Sequence, residues 1–390
     1  MKRILHVLRA ARGGMANHVQ MLVTGTGTSG FRHYLACPVA FAPTSLLESA
    51  ADVFQLSIAD GLSPYADFKA QQQLAHLLRM QEFDVIHFHG YKALHIGSKL
   101  LKDLLYQPKS ICTIHNFLSK KQLAWWRLAH AFGFLDLNQI GQFVTVSEEL
   151  KKHFVESNAA FCRNLTVQVI QNGIPTDQLY VDRRISRRIF QLPQDAFVIG
   201  TIARLNSDKG IDVLVSAMAE IERRIPCAYL VVIGDGPEMK RLQSLAKRLQ
   251  IFNIRWLGYL KDADQLMKGF DVYVQPSRRE GFGMTVLEAM RAKVPVIASK
   301  VGGLQEIIEN QVSGVFVYPE RADEIVQRIF DLYRDSWYRS ELGQSGHERM
   351  QEHFSQQIML EQWLQMYSSY PKHPAAQMEL SGPDAIPTHL

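Results

Sequence analysis

The chain has 390 residues, 47% hydrophobic and 21% charged, with a formal net charge of +5. That length suffices for two domains with sizeable cores, and the composition is that of a globular protein. No apolar run approaches the roughly 18–20 residues that span a bilayer. Cys37, Cys112, Cys162 and Cys227 lie far apart with no Cys-x-x-Cys, which argues against a zinc centre or a disulfide framework and fits a reducing compartment.

Along the chain, short apolar runs alternate with longer amphipathic stretches, the pattern of an α/β protein with mostly parallel sheets. In the first half the expected strands are 3–8, 33–38, 84–89, 110–114, 143–146 and 167–170. The opening Met1–Leu8 run is interrupted by Arg9 and Arg12 too soon for a signal peptide, and is expected as a buried strand. Gly13-Gly14 follows it, ahead of a helix opening near Ala16. Gly25-Thr26-Gly27-Thr28-Ser29-Gly30 matches Gly-x-Gly-x-x-Gly, but it follows a helical stretch (Ala16–Val23) and precedes a strand. The dinucleotide fingerprint needs the reverse context, so a loop is expected.

His87, His89 and His115 lie near expected strand ends. His115, followed by Asn116, stands at the C-terminal end of its strand, where ligand sites of α/β proteins open. His87 and His89 are read as facing opposite sides of the sheet, so that they cannot share one ion, and no metal is expected. Residues 92–127 carry Lys92, Lys99, Lys102, Lys109, Lys120, Lys121 and Arg127 against only Asp103, an excess suited to an anionic surface or acceptor. The Lys120–His130 stretch sets Trp125 and Trp126 among cations, which fits either a membrane interface or a packed helix. Ser147 reads as a helix N-cap.

A second series begins at Phe197–Ile202 and continues at 228–233, 254–257, 272–274, 294–298 and 314–317. Two such series imply two Rossmann-like domains. The join falls between Gln171 and Asp195, across Asn172-Gly173-Ile174-Pro175 and a basic segment, Arg183–Arg188. Arg204 and Lys209 follow the first strand of this half and could stabilise a developing diphosphate charge. Gly234, in Gly234-Asp235-Gly236, follows the next strand, and its lack of a side chain serves either a ligand or a tight turn. Gly258 and Tyr259 follow the third, and Tyr259 is open to stacking or packing. Residues 276–290 then read Pro-Ser-Arg-Arg-Glu-Gly-Phe-Gly-Met-Thr-Val-Leu-Glu-Ala-Met. Here Glu280 and Glu288 bracket a Gly-rich turn between a strand and a helix. The turn offers backbone N–H groups at the positive end of a helix dipole, and the carboxylates accept from hydroxyls. That combination suits a sugar nucleotide.

The 276–290 segment resembles the Glu-x7-Glu signature of retaining glycosyltransferases of family 4. The resemblance implies the GT-B fold: two Rossmann-like domains facing across a cleft, 1–175 for the acceptor and 190–350 for the donor. A helix at 351–370 would cross back to the first domain, and a disordered tail with four prolines would follow over 371–390. It implies Glu280 on the donor sugar, Glu288 on the ribose, and Arg204 and Lys209 on the diphosphate. Gly14, Gly234, Gly258, Tyr259, Phe282, Gly283, Met284 and Thr285 would complete the donor site. His89, His115 and Asn116 would border the acceptor, with His115 near the reacting centre.

The expectation is a cytoplasmic, metal-independent hexosyltransferase acting on a UDP- or GDP-sugar, with that nucleotide sugar as co-substrate and no cofactor. Its acceptor would be a glycan or a lipid-linked glycan, with peripheral contact to the inner face of the cell membrane through residues 92–127 and no nucleic acid partner. A sugar nucleotide epimerase on the same fold is the rival enzyme. A non-catalytic sugar nucleotide-binding partner of a membrane assembly complex is the rival of another class.

Overall fold

A computed structural model describes residues 1–370 apart from 10–12, 60, 62 and 160–165. Arg12, Cys162 and the tail expected to be disordered lie outside the described residues. The chain divides into two units. The first takes in Met1–Thr145, Lys151–Ile170 and the chain from Leu360; the second takes in Val146–Leu150 and Gln171–Met359.

In the first unit, strands β1 (Lys2–Leu8), β2 (Phe31–Cys37), β3 (Asp52–Gln55), β4 (Val85–His89), β5 (Lys109–Ile114), β6 (Gln142–Thr145) and β7 (Val167–Val169) form one parallel sheet ordered β3-β2-β1-β4-β5-β6-β7. In the second, β8 (Phe197–Ile202), β9 (Ala228–Ile233), β10 (Ile254–Gly258), β11 (Val272–Gln275), β12 (Val296–Ser299) and β13 (Val315–Val317) form a parallel sheet ordered β10-β9-β8-β11-β12-β13. Each is a doubly wound α/β sheet, as the periodicity predicts. The strands read as apolar runs because helices cover both faces. Gly200 breaks the run in β8 because a Cβ there would lie 2.2 Å from the Phe270 ring. The helix Ile211–Arg224 buries Ile211, Leu214, Val215, Met218 and Ile221, one stripe at helical spacing, in the core of the second unit.

In each unit the strand order reverses beside the first strand, between β1 and β4 and between β8 and β11. Loops on either side of such a point leave in opposite directions, so a crevice opens at the carboxyl ends of the strands.

Several local expectations differ from the structure. The four-residue strand β3, at the sheet edge and partly exposed, was too short and too polar to read. The first helix spans Gly14–Thr26 and opens two residues earlier than Ala16. It therefore takes in Gly25-Thr26; a 3-10 turn, Gly27–Ser29, and a left-handed Gly30 (φ 87°) then lead into β2. The Gly-x-Gly-x-x-Gly string is thus a helix end rather than a loop. The basic segment in the expected join is the helix Arg183–Ile189, N-capped by Asp182. Its Arg187 is buried and pairs with Asp271 at 2.7 Å. The helix expected over 351–370 is Gln356–Ser369; residues 351–353 end the preceding helix, Ser336–His353, and the two are broken at Phe354 and Ser355. At the end of the second, Lys2 Nζ donates to the carbonyls of Tyr367 and Ser368, both at 3.0 Å, a cation at the negative end of a helix dipole.

Candidate functional site

In the second unit the loops after β8 and β11 are fastened together at the switch point. Gly210 has φ 62°, and a Cβ on it would stand 2.0 Å from the Pro276 carbonyl oxygen. Arg278 binds Asp212 in bidentate fashion (2.8 and 3.0 Å) and donates to Ser207 O at 2.7 Å, while its own N–H donates to Asp208 O at 2.7 Å. A planar guanidinium held at both ends leaves these loops little freedom.

That frame brings Lys209 Nζ to 2.6 Å from Glu280 Oε2. Gln275 Nε2 and Ser277 Oγ donate to the same oxygen, each at 3.1 Å. Among the described residues no hydrogen bond is made to Oε1, so the carboxylate is oriented by one oxygen and presents the other. Arg204, on the same loop as Lys209, is exposed and has no ion-pair partner among the described residues.

The helix Met284–Arg291 begins at Gly283, whose φ is 118°. A Cβ there would meet Leu304 Cδ2 at 2.6 Å, so the turn is built for glycine on steric and conformational grounds. First-turn N–H groups of a helix lack intrahelical partners, which leaves those of Met284 and Thr285 facing the crevice end of β11. Thr285 Oγ1 is bonded to Gln275 Oε1 at 3.3 Å. The Phe282 side chain is buried against Phe354, so only its backbone is open to a ligand. One turn on, burial raises the Glu288 carboxyl to about 8, with Asp264 adding to the rise and Arg291 opposing it. Some of the Glu288 side-chain surface remains exposed; the shift reflects the protein packed around it.

Gly234 has a structural reason of its own: at φ 131°, a Cβ would stand 1.9 Å from Ala203 O. Gly236 likewise packs on Leu205 O (2.3 Å). These glycines bring the loop after β9 against the loop carrying Arg204. Gly234 N–H donates to Gly258 O at 2.7 Å, and Tyr259 is 70% exposed, so it does not pack. Ser147 caps its helix through Leu150 N–H (3.2 Å) and also donates to Gly281 O at 2.8 Å, a second role that capping did not reveal.

In the first unit, six histidines gather at the switch point: His6, His18, His33, His87, His89 and His115, all 8% exposed or less. His87 and His89 share a face, with ring centroids 4.0 Å apart. This corrects the reading of opposite faces, because residues two apart on a strand point the same way. His87 is held by Tyr367 OH (2.8 Å) and Thr113 Oγ1 (2.7 Å). His89 contacts His6 (3.0 Å) and His115 (3.4 Å). Two groups, His6/His87/His89 and His18/His89/His115, each bring ring nitrogens within 4.8 Å of one another. Burial, reinforced by neighbouring cationic or histidine charges, holds His6, His87, His89 and His115 well below the ordinary histidine range. Asn116 is exposed just after β5, and Gly14 is exposed at the first helix's N-terminus. His6, His18 and His33 were missed; for His6 and His33, polar rings at inward positions of otherwise apolar strands were the available signal.

The basic stretch is less unbalanced than its sequence. Lys92 pairs with Asp67 and Lys102 with Asp136, each at 2.6 Å. Trp126 is a core residue, 1% exposed, donating to Asn158 Oδ1 at 2.9 Å. Lys99, Lys109, Lys121 and Arg127 stay exposed, as do Leu128, Phe132 and Phe134 just beyond.

The family model for glycosyl transferases group 1 matches residues 182–349, and that for Glycosyltransferase Family 4 matches residues 12–178. The chain is 30% identical over 318 residues to an uncharacterized glycosyltransferase, MJ1607, of Methanocaldococcus jannaschii, covering 78% of this chain and 80% of that one. It is 29% identical over 237 residues to the capsular polysaccharide biosynthesis glycosyltransferase CapM of Staphylococcus aureus, covering 59% and 62%. Among solved structures it resembles Anabaena Alr3699/HepE in complex with UDP and glucose, with TM-score 0.82, 21% identity, and 95% and 100% of the two chains covered.

Proposed function

Because the chain belongs to the glycosyltransferases of group 1 and family 4 type, we propose that it moves a sugar from a UDP- or GDP-sugar to a hydroxyl group of a glycan or lipid-linked acceptor, with retention at the anomeric carbon. The observation that carries this reading is the Lys209–Glu280 pair at the β8/β11 switch point, beside the open N-terminus of the Met284–Arg291 helix. Lys209 and Arg204 neutralise the departing diphosphate without calling on a metal ion. Glu280 Oε1 accepts from a hydroxyl of the sugar, and Glu288 accepts from the ribose. The bond from the anomeric carbon to the phosphate oxygen breaks and a bond to the acceptor oxygen forms on the same face. The acceptor's proton passes to the leaving phosphate.

The CapM relative, named for capsular polysaccharide synthesis, and the solved complexes of Alr3699/HepE with UDP and UDP-glucose support a nucleotide sugar donor and a cell-surface glycan product. Among the described residues no helix is long and apolar enough to cross a membrane; a lipid-linked acceptor would be met at the cytoplasmic surface through the cations of residues 92–127 and the exposed Phe132 and Phe134 that follow them. The test is a screen of single UDP- and GDP-sugars, following nucleotide release and product anomer. One donor turned over with retention, and lost in Lys209→Ala and Glu280→Ala, is the expected result. Release with inversion, or turnover indifferent to both substitutions, would overturn the reading.

A further inference from the structure

Thr26, His33, His6, His89 and His115 form one continuous hydrogen-bonded chain in the first unit. The links are Thr26 Oγ1 to His33 Nε2 (2.7 Å), His33 Nδ1 to His6 Nε2 (2.9 Å), His6 Nδ1 to His89 Nε2 (3.0 Å) and His89 Nδ1 to His115 Nε2 (3.4 Å). Its far end is anchored: Thr26 Oγ1 also lies 2.7 Å from Leu22 O. A carbonyl oxygen has no proton, so the single hydroxyl proton of Thr26 must occupy that contact. Thr26 then accepts from His33, which must carry its proton on Nε2.

A neutral imidazole has one donor and one acceptor nitrogen, and the bond made by one fixes the state of the other. The polarity therefore passes ring by ring. His33 Nδ1 accepts from His6 Nε2–H, His6 Nδ1 from His89 Nε2–H, and His89 Nδ1 from His115 Nε2–H. Neutrality follows from burial, which brings His33 to about 4 and lowers the other three rings well below the usual value.

We propose that this chain locks His115 in the Nε2–H tautomer, so that the carboxyl end of β5 offers the lone pair of Nδ1 and takes a substrate hydroxyl in preference to an unprotonated phosphoryl or carboxylate oxygen. The inference deepens the proposed function and rests on that reading. Thr26, His33, His6 and His89 are positioning residues: they set the acceptor character of a ring at the crevice from a helix end remote from it. The chain and a bound cation exclude each other at His89, because both of its ring nitrogens are spent in the chain.

The experiment uses the full chain with 15N-labelled histidine and a ring proton–nitrogen correlation spectrum at neutral pH. Expected is Nε2–H, with an unprotonated Nδ1, at His33, His6, His89 and His115. Thr26→Val should give His115 a second tautomer and lower kcat on the order of tenfold, the worth of one well-made hydrogen bond, while the donor KM stays within about twofold. Thr26→Ser should restore both. An Nδ1–H or charged His115, one transition metal retained per chain, or an unchanged His115 spectrum in Thr26→Val would overturn the proposal. The wild-type spectrum decides even if Thr26→Val does not fold. It needs no sugar donor: the expected tautomers without turnover of any donor would uphold the lock and remove the transferase reading instead.

Discussion

Lys209 Nζ and Glu280 Oε2 stand 2.6 Å apart although 71 residues separate them in sequence. With side chains 22% and 12% exposed, the pair is neither fully desolvated nor freely solvated. It holds both groups at the carboxyl ends of adjacent strands before any ligand arrives. In the proposed reaction a diphosphate would compete with Glu280 for the ammonium, while Gln275 and Ser277 keep Oε2 and leave Oε1 toward the sugar.

Lys209→Ala is expected to lower kcat about 10²- to 10³-fold, the usual loss when one fixed stabiliser of transition-state charge is removed. Glu280→Gln should cost a similar factor. Because the two groups act as a unit, the double variant should lose far less than the product of the single losses. Kinetics of the four proteins check this; losses that multiply would show two independent groups.

Glu288 sets a pH dependence. Its carboxyl is raised to about 8 in the folded chain, above the roughly 4.3 of an unfolded glutamate. The folded state therefore holds the proton more tightly, and this group's contribution to stability is fully present below the unfolded value and is lost as pH rises through about 8. A ribose whose hydroxyls donate to the carboxylate selects the ionised form. Nucleotide affinity should accordingly strengthen as pH rises toward 8 and then level off, with proton release near pH 7. Calorimetry in buffers of different ionisation enthalpy measures that release. Glu288→Gln should bind weakly with no such slope.

Asp271 carries a structural load away from the crevice. It accepts from Arg187 at 2.7 Å, Arg183 at 2.5 Å and the Val198 N–H at 2.7 Å. Asp271→Ala strands the buried Arg187, at a cost of about 3–5 kcal/mol. The melting temperature should drop by roughly 6–20 °C at about 2–4 °C per kcal/mol. Thermal denaturation followed by circular dichroism checks it.

Two glycines separate steric from conformational demand. Gly234→Ala forces a Cβ to 1.9 Å from Ala203 O, whereas Gly258→Ala, at φ 67°, meets open space. The second should cost about 1–2 kcal/mol. The first should cost more than the second and should also displace the loop bearing Arg204. Equal melting shifts in the two variants would contradict the close approach.

Contact with an anionic membrane is expected through Phe132 and Phe134, 73% and 60% exposed, beside Lys99, whose Nζ lies 5.6 Å from the Phe134 ring centroid. Flotation with vesicles containing anionic lipid should carry the protein at low salt. Phe132→Ser combined with Phe134→Ser should abolish it, and 0.5 M salt should weaken it, since about 4 Å of screening length remains there. Trp126→Phe should leave flotation intact, because that ring is in the core.

The amino-acid sequence by itself determined the alternation of strand and helix. Short strand runs of three to seven residues, closed off by glycine and polar turns, admit little but parallel strands with helical crossovers. It also displayed Arg204, Lys209 and Glu280, which lie in the loops after β8 and β11, and Glu288, one turn into the helix that follows β11. Only the tertiary structure decided which of these meet. The distance from Lys209 to Glu280 depends on strand order, since β8 and β11 are neighbours in the sheet while β9 and β10 lie on its other side. The same physics hid the histidine chain. Its rings come from β1, β2 and β4 and from the residue that follows β5, and they meet because register places His6 beside Leu35, two residues from His33, on one flank and beside His87, two residues from His89, on the other. It explains Lys92 and Lys102 as well: their counter-charges, Asp67 and Asp136, lie 25 and 34 residues away along the chain. Periodicity reports which face a residue occupies, whereas pairing between distant segments is set by how the sheet is wound.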